Sequence, residues 1–185
     1  MKKRTQLIIL LGLVLLTGGT TAMKAQQWTL KTNVLSWATT TANVAAEVKI
    51  APRWTAELGI AYKPWSLLSD NRKVMGVMVQ PEVRYWLCQP FYEHFVGFHL
   101  HYANYNGGLD KYRYQGSLMG AGFSYGYQWI IGRNWNLELN GGLGYARMNH
   151  DKYLRPKCGF FVGEESRNYF GITKLSVSLV YILKN

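Results

Sequence analysis

WNLELNGGLGYARMNH occupies residues 135–150. Every second residue from Trp135 is apolar, aromatic or glycine: Trp135, Leu137, Leu139, Gly141, Leu143, Tyr145. The residues between them are polar and then very small: Asn136, Glu138, Asn140, Gly142, Gly144, Ala146. Successive side chains of a strand point to opposite faces, so period-two alternation marks a strand whose two faces meet different surroundings. Which face meets which surroundings fixes the fold class.

The same pattern recurs along the chain. Eight segments of this kind are read: 28–39, 43–50, 54–65, 77–88, 94–105, 114–131, 135–150 and 169–184. No long stretch after the first residues has helical periodicity. The connections alternate as well. "APR", "QPFYE" and "GRN" are short; "SLLSDNRKVMG", "NGGLDKYR" and "LRPKCGFFVGEESRN" are long and polar or basic, and only the connection near "TTTA" departs by being short. An even number of strands, short turns on one side and long loops on the other describe bacterial outer-membrane barrels.

The faces support this. Val96, Phe98, Leu100 and Tyr102 share one side of the fifth segment; Met119, Phe123, Tyr125, Tyr127 and Trp129 share one side of the sixth; Leu175, Val177, Leu179 and Tyr181 share one side of the eighth. Aromatics toward the ends with aliphatics between suit a lipid-facing band with interfacial girdles. The opposite faces carry Gln80, Glu82 and Arg84, then Gly97, His99 and His101, then Gly120, Gly122, Ser124 and Gly126. A soluble up-and-down barrel would alternate too, with its polar face in water. That face should then be rich in Lys, Glu and Thr, whereas glycine suits a crowded interior in which large charged side chains need room. Glu47, Glu57, Glu82 and Glu138 against Lys31, Lys49, Arg84 and Lys174 form a balanced set, as buried charges require. The expected architecture is an all-β, eight-stranded antiparallel up-and-down transmembrane β-barrel, with short periplasmic turns, longer extracellular loops and a polar lumen filled by side chains. No further domain or linker is read within 26–185.

Residues 1–25 read as a secretory signal peptide: Lys2, Lys3 and Arg4, a ten-residue apolar run from Leu7 to Leu16, then small residues with Ala22 or Ala25 as the cleavage point. The run is half the roughly 20 residues that a membrane-spanning helix needs. No Cys lies near the cleavage region, so no lipid anchor is expected. The whole chain carries a formal +11. Cleavage after Ala25 removes four of its 21 basic residues and no acidic one, leaving 17 against 10, a net +7. Nucleic acid is not the expected partner of an exported protein. Arg72, Lys73, Lys111, Arg113, Lys152, Arg155, Lys157 and Arg167 fall in loops. They form either a basic rim for anionic lipid or polysaccharide, lipopolysaccharide included, or a solvated surface. The chain ends in Lys184 and Asn185, so Tyr181 is the candidate for the terminal aromatic that barrels of this class carry.

The stretches KTNVLSWATTTANVAAEV, QPEVRYWLC, HFVGFHLHYANYN, YQGSLMGAGFSYGYQW and NYFGITKLSVSLVYILK resemble a family of small outer-membrane β-barrels from anaerobic Gram-negative bacteria, whose domain is labelled as of unknown function. The resemblance covers about residues 28–184. It implies an eight-stranded barrel, often encoded beside fimbrial subunit genes, with no catalytic residue to carry over. Members of that family often have a Cys-x-x-Cys pair in the last long loop; here Cys158 is present and Arg155 stands in the first position. Cys88 is placed at the opposite end of the barrel. A membrane band of about 25 Å would separate the two cysteines, far beyond the roughly 7 Å Cα limit of a disulfide. Two free thiols are therefore expected.

Three constellations could carry chemistry. His99 and His101 lie on one strand face, and with Glu82 or Glu138 could begin a metal site; a hydrogen-bonded pair within the polar core is the preferred reading. His150 and Asp151, with Ser66, Ser69 or Ser166, would suit a lipid-modifying enzyme if base, nucleophile and acid came within reach. An ordinary polar loop is preferred. The glycine-rich stretches precede no helix and are not phosphate loops. The expectation is a non-enzymatic envelope protein without metal or cofactor, a monomer whose partners are outer-membrane lipid, lipopolysaccharide and a surface or fimbrial protein. An outer-leaflet lipid A-modifying enzyme is the alternative and a narrow pore the third.

Overall fold

The computed structural model describes residues 27–63, 74–107, 112–154 and 161–183. The elements are β1 (Trp28–Asn33), α1 (Val34–Ala38), β2 (Ala42–Ala51), β3 (Trp54–Lys63), β4 (Val74–Trp86), β5 (Glu93–Gly107), β6 (Tyr112–Ile130), β7 (Trp135–Leu154) and β8 (Phe161–Leu183). Each strand pairs antiparallel with its chain neighbour, and β1 pairs with β8, so the sheet closes into an up-and-down barrel. Closure removes the free edges that an open sheet would leave. Residues 1–25, Arg72, Lys73, Lys111, Arg155, Lys157, Cys158, Ser66 and Ser69 lie outside the described residues.

Within the strands the alternation holds except at a bulge in β8. Leu30, Leu58, Val96, Phe98, Leu100, Phe123, Leu139, Leu143 and Leu175 face outward and are exposed, while Glu47, Glu82, Arg84, His99, Asn136 and Glu138 are buried inside. The inside of this barrel is polar and its outside apolar. Toward the short turns the outer face is ringed by aromatics: Trp135 packs against Tyr181 with ring centroids 4.8 Å apart, Trp54 against Tyr85 at 5.1 Å, and Tyr127 against Trp129 at 4.6 Å. Toward the loops the outer face turns polar along a common line. Asn104 is the register partner of Ser117, Ser117 of Asn149, and Arg147 of Asn168.

Three expectations are corrected. The first strand stops at Asn33 rather than 39, where α1 begins. Asn33 caps this helix, its side-chain oxygen accepting from Leu35 N at 3.0 Å. The adjacent apolar pair Val34–Leu35 breaks period two and, with Trp37, fits a helical turn. Thr40, at φ 55, reverses the chain into β2. The barrel wall is therefore low here: β1 pairs with β2 only from Trp28 to Lys31, whereas β6 and β7 pair from Tyr112 to Ile130. Second, β8 starts at Phe161 and β7 runs to Leu154, so most of the presumed last loop is sheet. Lys152, Arg113 and Arg167 sit on strands β7, β6 and β8, not in loops. Long strands continue because cross-strand pairing satisfies the backbone even where the outer face has become polar. Third, β8 carries a bulge. Gly142 pairs with Lys174 but Leu143 with Ile172, leaving Thr173 unpaired. The extra residue places Thr173 and Lys174 on the inner side between outward Ile172 and Leu175.

Candidate functional site: the polar lumen

The described lumen is built around Arg84, which is fully buried. Strand parity aims Glu82, Arg84 and Trp86 inward from β4. Nη1 of Arg84 lies 3.1 Å from Glu47 Oε2 and 3.1 Å from Glu138 Oε2. Nη2 lies 2.8 Å from Glu57 Oε2 and 3.1 Å from Glu82 Oε2. One guanidinium thus joins carboxylates from β2, β3, β4 and β7, a use of its planar fork that a lysine could not match.

Two ammonium groups complete the network. Lys31 Nζ from β1 is 2.5 Å from Glu138 Oε2 and 3.0 Å from Glu57 Oε2, and also meets Glu47. Lys174 Nζ from β8 is 3.0 Å from Glu57 Oε1 and also meets Glu82. Hydroxyls take remaining acceptor sites: Thr55 donates to Glu47 and Ser124 to Glu82. Trp86 Nε1 donates to Thr55 Oγ1 at 2.9 Å. Buried charges without such partners would cost several kcal/mol each, roughly. The oxygens of Glu47, Glu57 and Glu138 lie within 4.8 Å of one another, a separation that could suit a metal ion. Lys31 and Arg84 already occupy that space.

Nine of the ten residues expected in the lumen are buried inside or join the network there. Lys49 is the correction. It is half-buried, opposite Thr55 near the short-turn end, and no ion pair joins it to the network among the described residues. Four carboxylates therefore face three cations in the described network, not four. Alternation gives Lys49 the right face; its height on β2, two residues beyond Glu47, puts it past the cluster.

His99 and His101 lie side by side with ring centroids 5.7 Å apart. His99 Nε2 is 2.9 Å from Thr173 Oγ1, the bulge residue. Glu82 and Glu138, the third ligands considered for a metal, are both held by cations. Glycine supplies the space: a Cβ at Gly122 would stand 2.8 Å from Thr173 Oγ1 and 2.9 Å from His99 Nε2.

Parity also points to Trp86 and Phe95 as lumen residues, though polar-face reading passes over them. With Phe91 they form a buried apolar cluster under the network at the short-turn end. Phe95 lies under Arg84, whose Cζ is 4.4 Å from the ring centroid. Phe91 had no sequence signal. It folds in from the β4–β5 turn at φ 67, and its carbonyl accepts from Asn136 Nδ2 at 2.9 Å.

His150 lies on β7 opposite Glu165, Asp151 opposite Glu164, and Ser166 opposite Asn149. Cys88 is exposed in the β4–β5 turn with a free thiol. Its Sγ donates to Glu93 Oε2 at 3.3 Å.

Residues 11–183 match the family described as "Protein of unknown function (DUF3575)". The chain belongs to this family. No curated protein and no solved structure matches it. As a family member it is an eight-stranded barrel whose interior is organised by charge.

Proposed function

We propose that this family member is an outer-membrane β-barrel that acts without catalysis, in envelope integrity or surface interaction. The observation that carries the proposal is the inverted polarity of the barrel, apolar outside and ion-paired inside. In water such a surface would expose a continuous apolar belt of the kind that drives association. The belt's height fits a bilayer. Outward apolar positions on β7 run from Trp135 to Tyr145. Ten steps of about 3.4 Å, on strands tilted by about 40°, rise about 26 Å, close to the roughly 25 Å apolar band of such barrels.

On this reading the aromatic ring at the short turns marks the periplasmic interface, and the line through Asn104, Ser117 and Asn149 marks the outer one. The ends of β6, β7 and β8, the strands that carry Arg113, Lys152 and Arg167 in their sequence, then rise beyond the membrane to the level of lipopolysaccharide. The resemblance to barrels encoded beside fimbrial genes makes a fimbrial or other surface protein the narrower choice of partner. The ion network and the Trp86–Phe91–Phe95 cluster oppose free diffusion through the lumen.

Fractionation and lipid A mass spectrometry test this together. The protein is expected in the outer-membrane fraction, migrating differently in boiled and unboiled gel samples. The lipid A spectra of a deletion strain and its parent should coincide. A gained or lost acyl chain or phosphate would replace this account with enzymatic lipid modification.

A further inference from the structure

The lumen is not filled evenly. On the β5–β7 side it is packed to contact: a Cβ at Gly97 would stand 2.5 Å from Ser124 Oγ, and one at Gly142 would stand 2.9 Å from His99 Cε1. On the β2–β3 side the inward positions above the ion network are Asn43, Ala45, Gly59 and Ala61. A Cβ at Gly59 would meet nothing nearer than 3.6 Å. Small side chains here leave space instead of yielding it to a neighbour. The result is a cavity of about 150 Å³, walled by Ala45, Gly59, Ala61 and Ser176 and floored by Glu57 and Lys174. Ser36 of α1 and Asn33, beside the low β1–β2 wall, also line it.

Two polar atoms among the lining residues lack a hydrogen-bond partner. Gln80 is 7% exposed, and its Nε2 has no acceptor; Glu57 Oε2 is met only by the cations Lys31 and Arg84, outside ideal hydrogen-bond alignment. Buried polar groups are satisfied in native proteins by protein, water or ligand. A hydroxyl can accept from the first and donate to the second. The floor disfavours an anion. Lys31 and Lys174 are already bound to carboxylates, and the described network has one more carboxylate than cations. An enclosed apolar cavity of roughly this volume holds a bare six-membered ring; this one is open on one side, which leaves room for the hydroxyls of a larger ring.

We propose that this cavity is a binding site for one uncharged, hydroxyl-rich ring: a single saccharide unit, free or carried on a glycolipid. Gln80 would donate to a ring hydroxyl, Glu57 would accept from one, and the small β2–β3 residues would give the ring its space. The inference deepens the surface-interaction reading by naming a ligand class, and its test does not depend on cellular location.

The test uses the purified full-length barrel, folded in detergent micelles and checked by its heat-dependent gel migration. Ligand-observed NMR is recorded with glucose, galactose, mannose and N-acetylglucosamine, and with glucuronate as the anionic control. Saturable binding of at least one neutral sugar, with glucuronate at least tenfold weaker, is the expected result. Gly59→Val fills open space with a residue suited to a strand, and Gln80→Leu removes the donor. Each should weaken binding at least tenfold while the folded band persists. A cavity holding water alone would show no saturable binding to the folded native barrel and would overturn the proposal. Glucuronate binding as tightly as the neutral sugars, or undiminished binding in folded Gly59→Val, would overturn it too. Repeating the titration in vesicles with and without lipopolysaccharide assigns the source. Suppression by lipopolysaccharide points to a lipid-borne saccharide and an unchanged signal to a free one. Failure of sugar binding with an apolar-banded barrel still in the outer membrane would sink this inference alone.

Discussion

Arg84 shows how far a single residue can be read. Its identity, its parity with Glu82 and its strand were legible, and so was its place in the lumen. That it would bridge four carboxylates was not, because Glu47, Glu57 and Glu138 come from strands whose relative heights depend on register. Arg84→Leu should leave those carboxylates short of a partner and cost about 3–5 kcal/mol, the range for breaking a buried ion pair from one side. Urea unfolding of the vesicle-inserted barrel would check this. A midpoint unchanged from the native protein would mean that the network contributes nothing to stability. Lys49 teaches the converse. It shares composition, face and strand with the network and misses it by its height alone.

At the scale of elements, strands with sustained alternation were legible and the irregular joins were not. The β4–β5 turn is the clearest case. Gln89 and Tyr92 form a bridge, Phe91 and Glu93 take positive φ, and Phe91 is drawn into the lumen. The same turn brings Glu93 against Cys88, and the hydrogen bond to that carboxylate pushes the thiol above its ordinary value. A raised thiol holds less thiolate near neutrality, and thiolate is the reactive form. In a Cys158→Ser background, Glu93→Gln should therefore speed maleimide labelling of Cys88 several-fold at pH 7.5. The gain should vanish once the pH exceeds both values. Equal rates at pH 7.5 would show that Glu93 does not act on the thiol. The bulge at Thr173 had a visible trace: two adjacent polar residues, Thr173 and Lys174, sit between outward apolar positions. A strict period-two reading cannot accommodate both on one face.

At the scale of the whole molecule, eight strands enclose an interior just wide enough for side chains. The described lumen meets that limit at one end, with Trp86, Phe91 and Phe95 beneath the ion network, and departs from it in the cavity beside β2 and β3. In planar bilayers the native barrel should give no stable open level. Trp86→Ala and Phe95→Ala combined with Arg84→Leu should produce measurable steps, since together they remove most of the apolar cluster and the hub of the ion network above it. A native barrel that conducts steadily would show that the cluster is not a seal. The tall β6–β8 wall and the low β1–β2 wall make the barrel lopsided, with α1 and the cavity on its low side.

The sequence by itself determined the fold class, the strand count and which face of each strand is polar, because side-chain direction along a strand depends only on the parity of the position. The same logic named nine residues that lie in the lumen. Only the tertiary structure decided which of them touch, that α1 replaces the end of the first strand, that Lys49 stands apart and that space remains beside Gln80. Those outcomes depend on register and closure. Register sets the height of every side chain against its neighbours, and closure pairs β1 with β8, some 150 positions apart in the chain, so that Lys31 and Lys174 meet the same carboxylate, Glu57.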